Sequence, residues 1–156
     1  MTADEAMRRA IEVAMAGVEA GFGGPFGSVI VRDGQIVGRG ENRVTSSNDP
    51  TAHAEIVAIR DACRTLGTHV LEGCDIYCSC EPCPMCLSAI YWARVRHVYF
   101  ACGRTDAAAA GFDDEWIYRE VALPHPERTI PITQLLRDEA LATFQAWLGK
   151  PDRIEY

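Results

Sequence analysis

Four of the chain's seven cysteines, Cys78, Cys80, Cys83 and Cys86, fall within nine residues, and this crowding constrains the fold more than any other feature. Pro84 marks the first turn of a helix running to Trp92, so Cys83 and Cys86, three apart, share one face where that helix begins. An odd number of cysteines cannot all pair within one chain. The segment from Thr2 to Ala20 carries Asp4, Glu5, Arg8, Arg9, Glu12 and Glu19, so it lacks a signal peptide's uncharged apolar stretch. No apolar run approaches the ~18 residues that a membrane span needs. A cytoplasmic protein with reduced thiols is therefore expected, and metal binding or catalysis is the leading account of the cluster.

The rest of the chain reads as elements around that cluster. Thr2 to Glu5 has capping-box spacing, and Met7, Ala10, Ile11, Ala14 and Val18 recur as one apolar stripe, stopped by Gly21, Gly23, Gly24 and Pro25. Two strand-like runs, Phe26 to Arg32 and Gln35 to Gly38, flank Asp33-Gly34, which predicts a hairpin with a primed turn. The stretch from Glu41 to Thr51 reads as a loop. A second helix starts at His53 and closes at Gly67. Cys74 to Cys78 reads as a strand, His97 to Ala101 as a buried strand, and Thr133 to Leu148 as a last helix. With no repeat, low-complexity segment or long linker, the 156 residues are expected to form a single domain, a helix-covered mixed sheet.

His53 lies 30 residues before Cys83, enough for a helix and a strand between them. One imidazole and two thiolates suit Zn²⁺ and leave the fourth tetrahedral position to water, the layout of a catalytic site. Residues two apart do not share a helix face, so Glu55 can join His53 only where the helix begins with its axis aimed at the metal. Both helix starts would then turn their positive ends to the site. Zinc with two thiolates and a neutral imidazole carries no net charge, so it acidifies water weakly and needs a carboxylate, Glu55, to move the proton. The competing readings fit less. Redox pairs Cys80/Cys83 and Cys83/Cys86 leave His53 and Glu55 unexplained, and a closed site of four cysteines normally draws on two separated pairs. A lone histidine is more often a core residue; the whole constellation lifts His53 above that reading.

The pattern His-x-Glu followed by Pro-Cys-x-x-Cys is the signature of zinc nucleobase deaminases. Through Thr51 to Glu55 and Ser79 to Cys86 the chain resembles the cytidine-deaminase-like superfamily, in the branch that holds guanine, cytosine and tRNA adenosine deaminases. Leu87 to Arg94, Thr105 to Ala108, Gly111 to Asp114, Glu127 to Pro131 and Glu155-Tyr156 are similar to the short bacterial guanine deaminases. The resemblance implies a three-layer α/β/α fold with a mixed five-stranded sheet. It also implies hydrolysis of guanine to xanthine and ammonia, with one Zn²⁺ per chain on His53, Cys83 and Cys86. Glu55 would shuttle the proton from the metal's water to the ring, and Asp114 would handle protons at the departing amino group. Asn42 would hydrogen-bond the purine, Phe26 and Trp92 would flank it, and Tyr156 would close the pocket. The family exchanges its C-terminal part between two subunits, so a homodimer is implied, in which Asp114 and Tyr156 serve the partner's site.

Other deaminases share the metal motif, and charge separates some of them. The chain has 15 Lys and Arg against 22 Asp and Glu, a formal charge of −7. From Arg137 to Tyr156, Arg137, Lys150 and Arg153 stand against Asp138, Glu139, Asp152 and Glu155. A tRNA adenosine deaminase needs basic residues to follow the anticodon backbone, so a small uncharged purine, and no nucleic acid, is the expected partner. Cytosine, a purine nucleoside and an aminotriazine are not separated from guanine by charge. In a different class, a zinc-stabilised binding module without catalysis would give Glu55 no task. Cys63, Cys74, Cys78, Cys80 and Cys102 need no function beyond that of small hydrophobes.

Overall fold

The capping box forms as its spacing predicts. In the computed structural model, which describes all 156 residues, Thr2 Oγ1 accepts from the Glu5 N–H at 3.2 Å and the Glu5 carboxylate accepts from the Thr2 N–H at 2.8 Å. They open helix α1 (Ala3–Glu19). The buried face of α1 is Ala6, Ala10, Ala14 and Gly17, while Ile11 and Val18 of the expected stripe are exposed. Close approach decides this. A side chain on Gly27 of strand β1 (Gly27–Arg32) would collide with the backbone of Ala10 and Ala14, so only the small face of the helix can sit there.

The turn at Asp33-Gly34 has φ of 50° and 75°, the left-handed pair that a type I′ turn requires, and joins β1 to β2 (Gln35–Glu41). The expected loop after β2 contains one short helix, α2 (Val44–Ser47). Helix α3 (Ala54–Leu66) ends at Gly67 with φ 65°, the left-handed C-cap that the glycine makes easy. Then follow β3 (Asp75–Cys80), α4 (Pro84–Trp92), β4 (His97–Cys102), α5 (Arg104–Ala109) and α6 (Glu115–Ala122). The strand order is β2-β1-β3-β4, with β1 antiparallel to β2 and β3, and β3 parallel to β4.

The sheet is mixed, as expected, but it has four strands and not five. Beyond Cys102 the chain turns helical, and the one later stretch with alternating apolar residues, Thr129 to Gln134, is interrupted by Pro131, which has no N–H for a ladder. β4 is also not the buried strand expected. It is an edge strand, and His97, Phe100, Ala101 and Cys102 are exposed.

The chain divides into two units, Met1–Trp116 and Ile117–Tyr156. In the first, α1 packs on one face of the sheet through Ala6, Ala10, Val29, Val31 and Tyr77. On the other face Ala58 and Ala62 of α3 and Ile90 of α4 pack with Ile30, Ile76 and Cys78. Cys74 and Cys78 are wholly or nearly buried there, as small hydrophobes would be. The second unit holds the rest of α6, a 3₁₀ turn at His125–Glu127 and α7 (Arg137–Leu148). Its local bonds are regular: Arg128 Nε donates to the Leu123 carbonyl at 2.9 Å, and the Thr129 N–H donates to Glu120 at 2.8 Å. The last helix starts four residues later than expected, because Leu136 takes a left-handed φ of 51°. None of residues 117–156 is buried.

Candidate metal centre and catalytic site

Two helix starts build the site. His53 is the N-cap of α3 and Cys83 the N-cap of α4, with Pro84 at the first helical position. Their carbonyls accept the first helical bonds, from Val57 at 3.0 Å and Leu87 at 2.9 Å. The approach of α3 to the sheet depends on Gly40 of β2, where any side chain would strike the Ala54 carbonyl and the Ala58 nitrogen. That contact seats the N-terminus of α3 on β2.

The ligand atoms of His53, Cys83 and Cys86 lie within 4.8 Å of one another. His53 Nδ1 is 3.5 Å from Cys83 Sγ and 3.5 Å from Cys86 Sγ. A tetrahedral zinc with bonds of about 2.3 Å to sulfur and 2.0 Å to nitrogen would separate N from S by about 3.5 Å, so both observed N–S spacings suit the ion. Hydrogen bonds from Cys86 and His53 pull the Cys83 thiol down to about 4, and the bond to Cys83 raises His53. The same pairing and burial push Cys86 up. One thiolate is thus ready in a partly sheltered place, as a zinc ligand must be.

Glu55 is 8 % exposed, and the Cys86 thiol donates to its Oε2 at 3.4 Å. Burial pushes its carboxyl up, which suits a group that must hold a proton part of the time. Asp114 belongs to the same unit, and its charge is felt at His53. Partial burial and the negative Cys83 raise the Asp114 carboxyl, while Arg104 opposes them.

Asn42 is buried at 6 % exposure. Its Oδ1 accepts from the N–H groups of Gly24 and Val44, each at 3.2 Å, which fixes the amide's orientation. Its NH₂ group is then the end free to donate to a ligand. Gly23 makes this arrangement possible, since a side chain there would collide with Asn42 Oδ1. Phe26 is half-buried and meets Phe112 edge-on, with ring centroids 4.9 Å apart and planes at 85°.

Two of the expected substrate-binding residues are exposed in the single chain. Trp92 ends α4, six residues beyond Cys86 and about 9 Å along the helix, and is 67 % exposed. Tyr156 lies in the second unit and is 72 % exposed. Phe112 is the aromatic beside Phe26 that sequence reasoning did not single out. It stands in the Gly111 to Asp114 segment, but no periodicity links positions 26 and 112.

Residues 1–102 match the family described as the cytidine and deoxycytidylate deaminase zinc-binding region. The chain is 57% identical over 150 residues to a guanine deaminase of Bacillus subtilis (strain 168), covering 96% of each. The X-ray structure of guanine deaminase from Bacillus subtilis superposes with a TM-score of 0.97 at 55% identity, covering 100% of this chain and 99% of that one. A tRNA-specific adenosine deaminase of Aquifex aeolicus (strain VF5) is 47% identical over 77 residues, 49% of this chain and 51% of the relative.

Proposed function

Since the chain belongs to the cytidine and deoxycytidylate deaminase family of zinc enzymes, we propose that it hydrolyses guanine to xanthine and ammonia. The observation that carries this is the meeting of His53, Cys83 and Cys86 with a buried Glu55 beside them, in a chain alike to a guanine deaminase over nearly all its length. The sequence likeness to the Aquifex aeolicus tRNA enzyme spans 49% of this chain, against 96% for the guanine deaminase. No helix is long and apolar enough to cross a membrane.

His53, Cys83 and Cys86 would hold one Zn²⁺, which when bound acidifies a water for attack. The reacting ring carbon bears the amino group. Water adds its oxygen there, one of its protons goes to the adjacent ring nitrogen, and the other leaves with the amine as ammonia. Glu55 receives the water's proton and delivers it to the ring. Its burial keeps bulk water from competing for that proton. Asp114 handles the proton at the departing amine. Asn42, its oxygen occupied, donates through its NH₂ to an acceptor on the purine, and Phe26 with Phe112 forms the apolar wall against which the flat ring rests.

The reading extends to a homodimer that exchanges its C-terminal part. The support is that Leu135, Leu136, Phe144 and Leu148 are at least 64 % exposed, as are Trp92 and Tyr156. Such residues are covered where a second subunit brings its own. Sedimentation of the pure protein at twice the chain's mass is the expected result.

The deciding experiment offers zinc-loaded protein guanine, guanosine, cytosine and tRNA and follows xanthine, ammonia and inosine. Xanthine and ammonia in equal amounts from guanine are expected. Turnover of cytosine or tRNA in place of guanine would overturn the substrate, and no turnover of any would leave a zinc-stabilised binding module.

A further inference from the structure

The turn that carries Cys83 and the segment that carries Asp114 are joined by one side chain. Arg104 opens α5 immediately after β4 and Gly103. Its backbone N–H donates to Glu81 Oε2 at 3.3 Å, and its Nε lies 3.2 Å from Glu81 Oε1. Its second arm, NH1, reaches Glu115 Oε2 at 3.4 Å. Glu81 stands two residues before Cys83, and Glu115 directly follows Asp114. All of these residues belong to the first unit.

The frame around Arg104 is fixed from both sides. The Glu81 N–H donates to the Cys102 carbonyl at 2.8 Å, continuing the β3–β4 ladder one step. The Gly103 N–H donates to Asp106 Oδ2 at 2.8 Å, which holds the start of α5. Arg104 and Glu81 side chains keep 39% and 25% of their exposure, so this pair is less open to water than an ordinary surface bridge. A guanidinium is planar and presents donors on two edges, so it can hold two carboxylates at once; an ammonium is a point charge without that fork.

We propose that Arg104 is a positioning residue of the deamination, which ties Glu81 on the metal turn to Glu115 and so sets Asp114 at the distance from the metal ligands that the departing amine requires. The inference rests on the reading of Asp114 given above.

A double-mutant cycle tests this, with the full-length zinc-loaded protein as wild type, R104Q, R104K, D114N and R104Q/D114N. R104Q is expected to lower kcat on guanine roughly ten- to hundredfold with KM within about twofold, as removal of a transition-state interaction does. R104K is expected to recover only a small part of that loss. Zinc per chain should stay at the wild-type value, and the thermal midpoint within about 3 °C, because the pair is partly exposed. The double variant should be no slower than D114N alone. Losses that multiply in the double variant, a wild-type kcat in R104Q, or a loss of bound zinc in R104Q would each overturn the proposal. If R104Q does not fold, E115Q cuts only the second arm; a smaller kcat loss that vanishes in the D114N background is then expected, and a loss that persists there overturns it. Wild-type protein that leaves guanine untouched in the same assay would instead sink the functional reading, and this inference with it.

Discussion

Residues Met1–Trp116 and Ile117–Tyr156 both form regular helices and differ in what covers them. In the first, both faces of the sheet are packed, and Ile30, Leu71, Ile76 and Val29 are wholly buried. In the second, α7 forms, the turn at Arg128 is held by two carbonyls, and yet no residue is buried. Local hydrogen bonding and capping suffice to shape a helix, but they do not supply the apolar burial that stabilises it in water. A segment of that size cannot build a core of its own. The first region therefore carries its own stability and the metal chemistry, and the second depends on what it docks against.

The sharpest way to break this division is to attack the metal. Replacing both Cys83 and Cys86 with Ser should abolish bound zinc and lower guanine turnover by at least about 10⁴-fold, as should a chelator in excess. Metal analysis alongside the assay checks it, and one zinc per chain surviving the double substitution would show that the ligands lie elsewhere. Next in size, Glu55→Gln should lower kcat roughly 10³-fold while zinc is retained. Near-full activity in that variant would remove the proton shuttle from the account.

A packing substitution makes the comparison quantitative. Ile30 is 0 % exposed between α3 and the sheet, so Ile30→Ala should destabilise by about 2–5 kcal/mol in urea unfolding. A cost under 1 kcal/mol would mean that the first region is packed no better than the second. Asn42→Ala removes the donor to the purine and frees the N–H groups of Gly24 and Val44, so kcat/KM for guanine should fall roughly tenfold. An unchanged kcat/KM would take Asn42 out of the pocket.

What could be read from the chain alone follows the same division. α1, the hairpin, α3 and α4 are announced by signals a few residues long: Thr2 with Glu5, Asp33-Gly34, Gly67 and Pro84. The metal site is legible for the same reason, since Cys83 and Cys86 share a helix start and His53-Ala54-Glu55 marks another. Position in the sheet is not local. His-Val-Tyr-Phe-Ala has the composition of a buried strand, and only its place at the end of the order β2-β1-β3-β4 exposes it. The implied fifth strand is absent, since β4 ends the sheet and the chain beyond Cys102 turns helical. Phe112 against Phe26 and Arg104 between Glu81 and Glu115 span 11 to 86 residues of sequence and carry no periodic mark. Small side chains also mislead. Ala6, Ala10 and Ala14 form the buried face of α1 because Gly27 lets the backbones touch, while the larger Ile11 and Val18 face out.

The smallest expected effect is the most informative about the second region. Phe144 lies on α7 at 65 % exposure, against 0 % for Ile30. If the first region alone carries stability, Phe144→Ser should change the unfolding free energy of dilute protein by no more than about 0.5 kcal/mol. In a homodimer that covers it, the same ring contributes burial worth roughly 2 kcal/mol to association. The variant should then shift the dimerisation midpoint to about tenfold higher concentration or more, and its thermal midpoint should depend on concentration more steeply than that of wild type. Sedimentation at several concentrations and thermal scans at two check both. A loss of several kcal/mol that is independent of concentration would put Phe144 in a core like that of Ile30 and erase the difference between the regions. A variant indistinguishable from wild type in both measurements would leave α7 with no partner to dock against and remove the exchanged dimer.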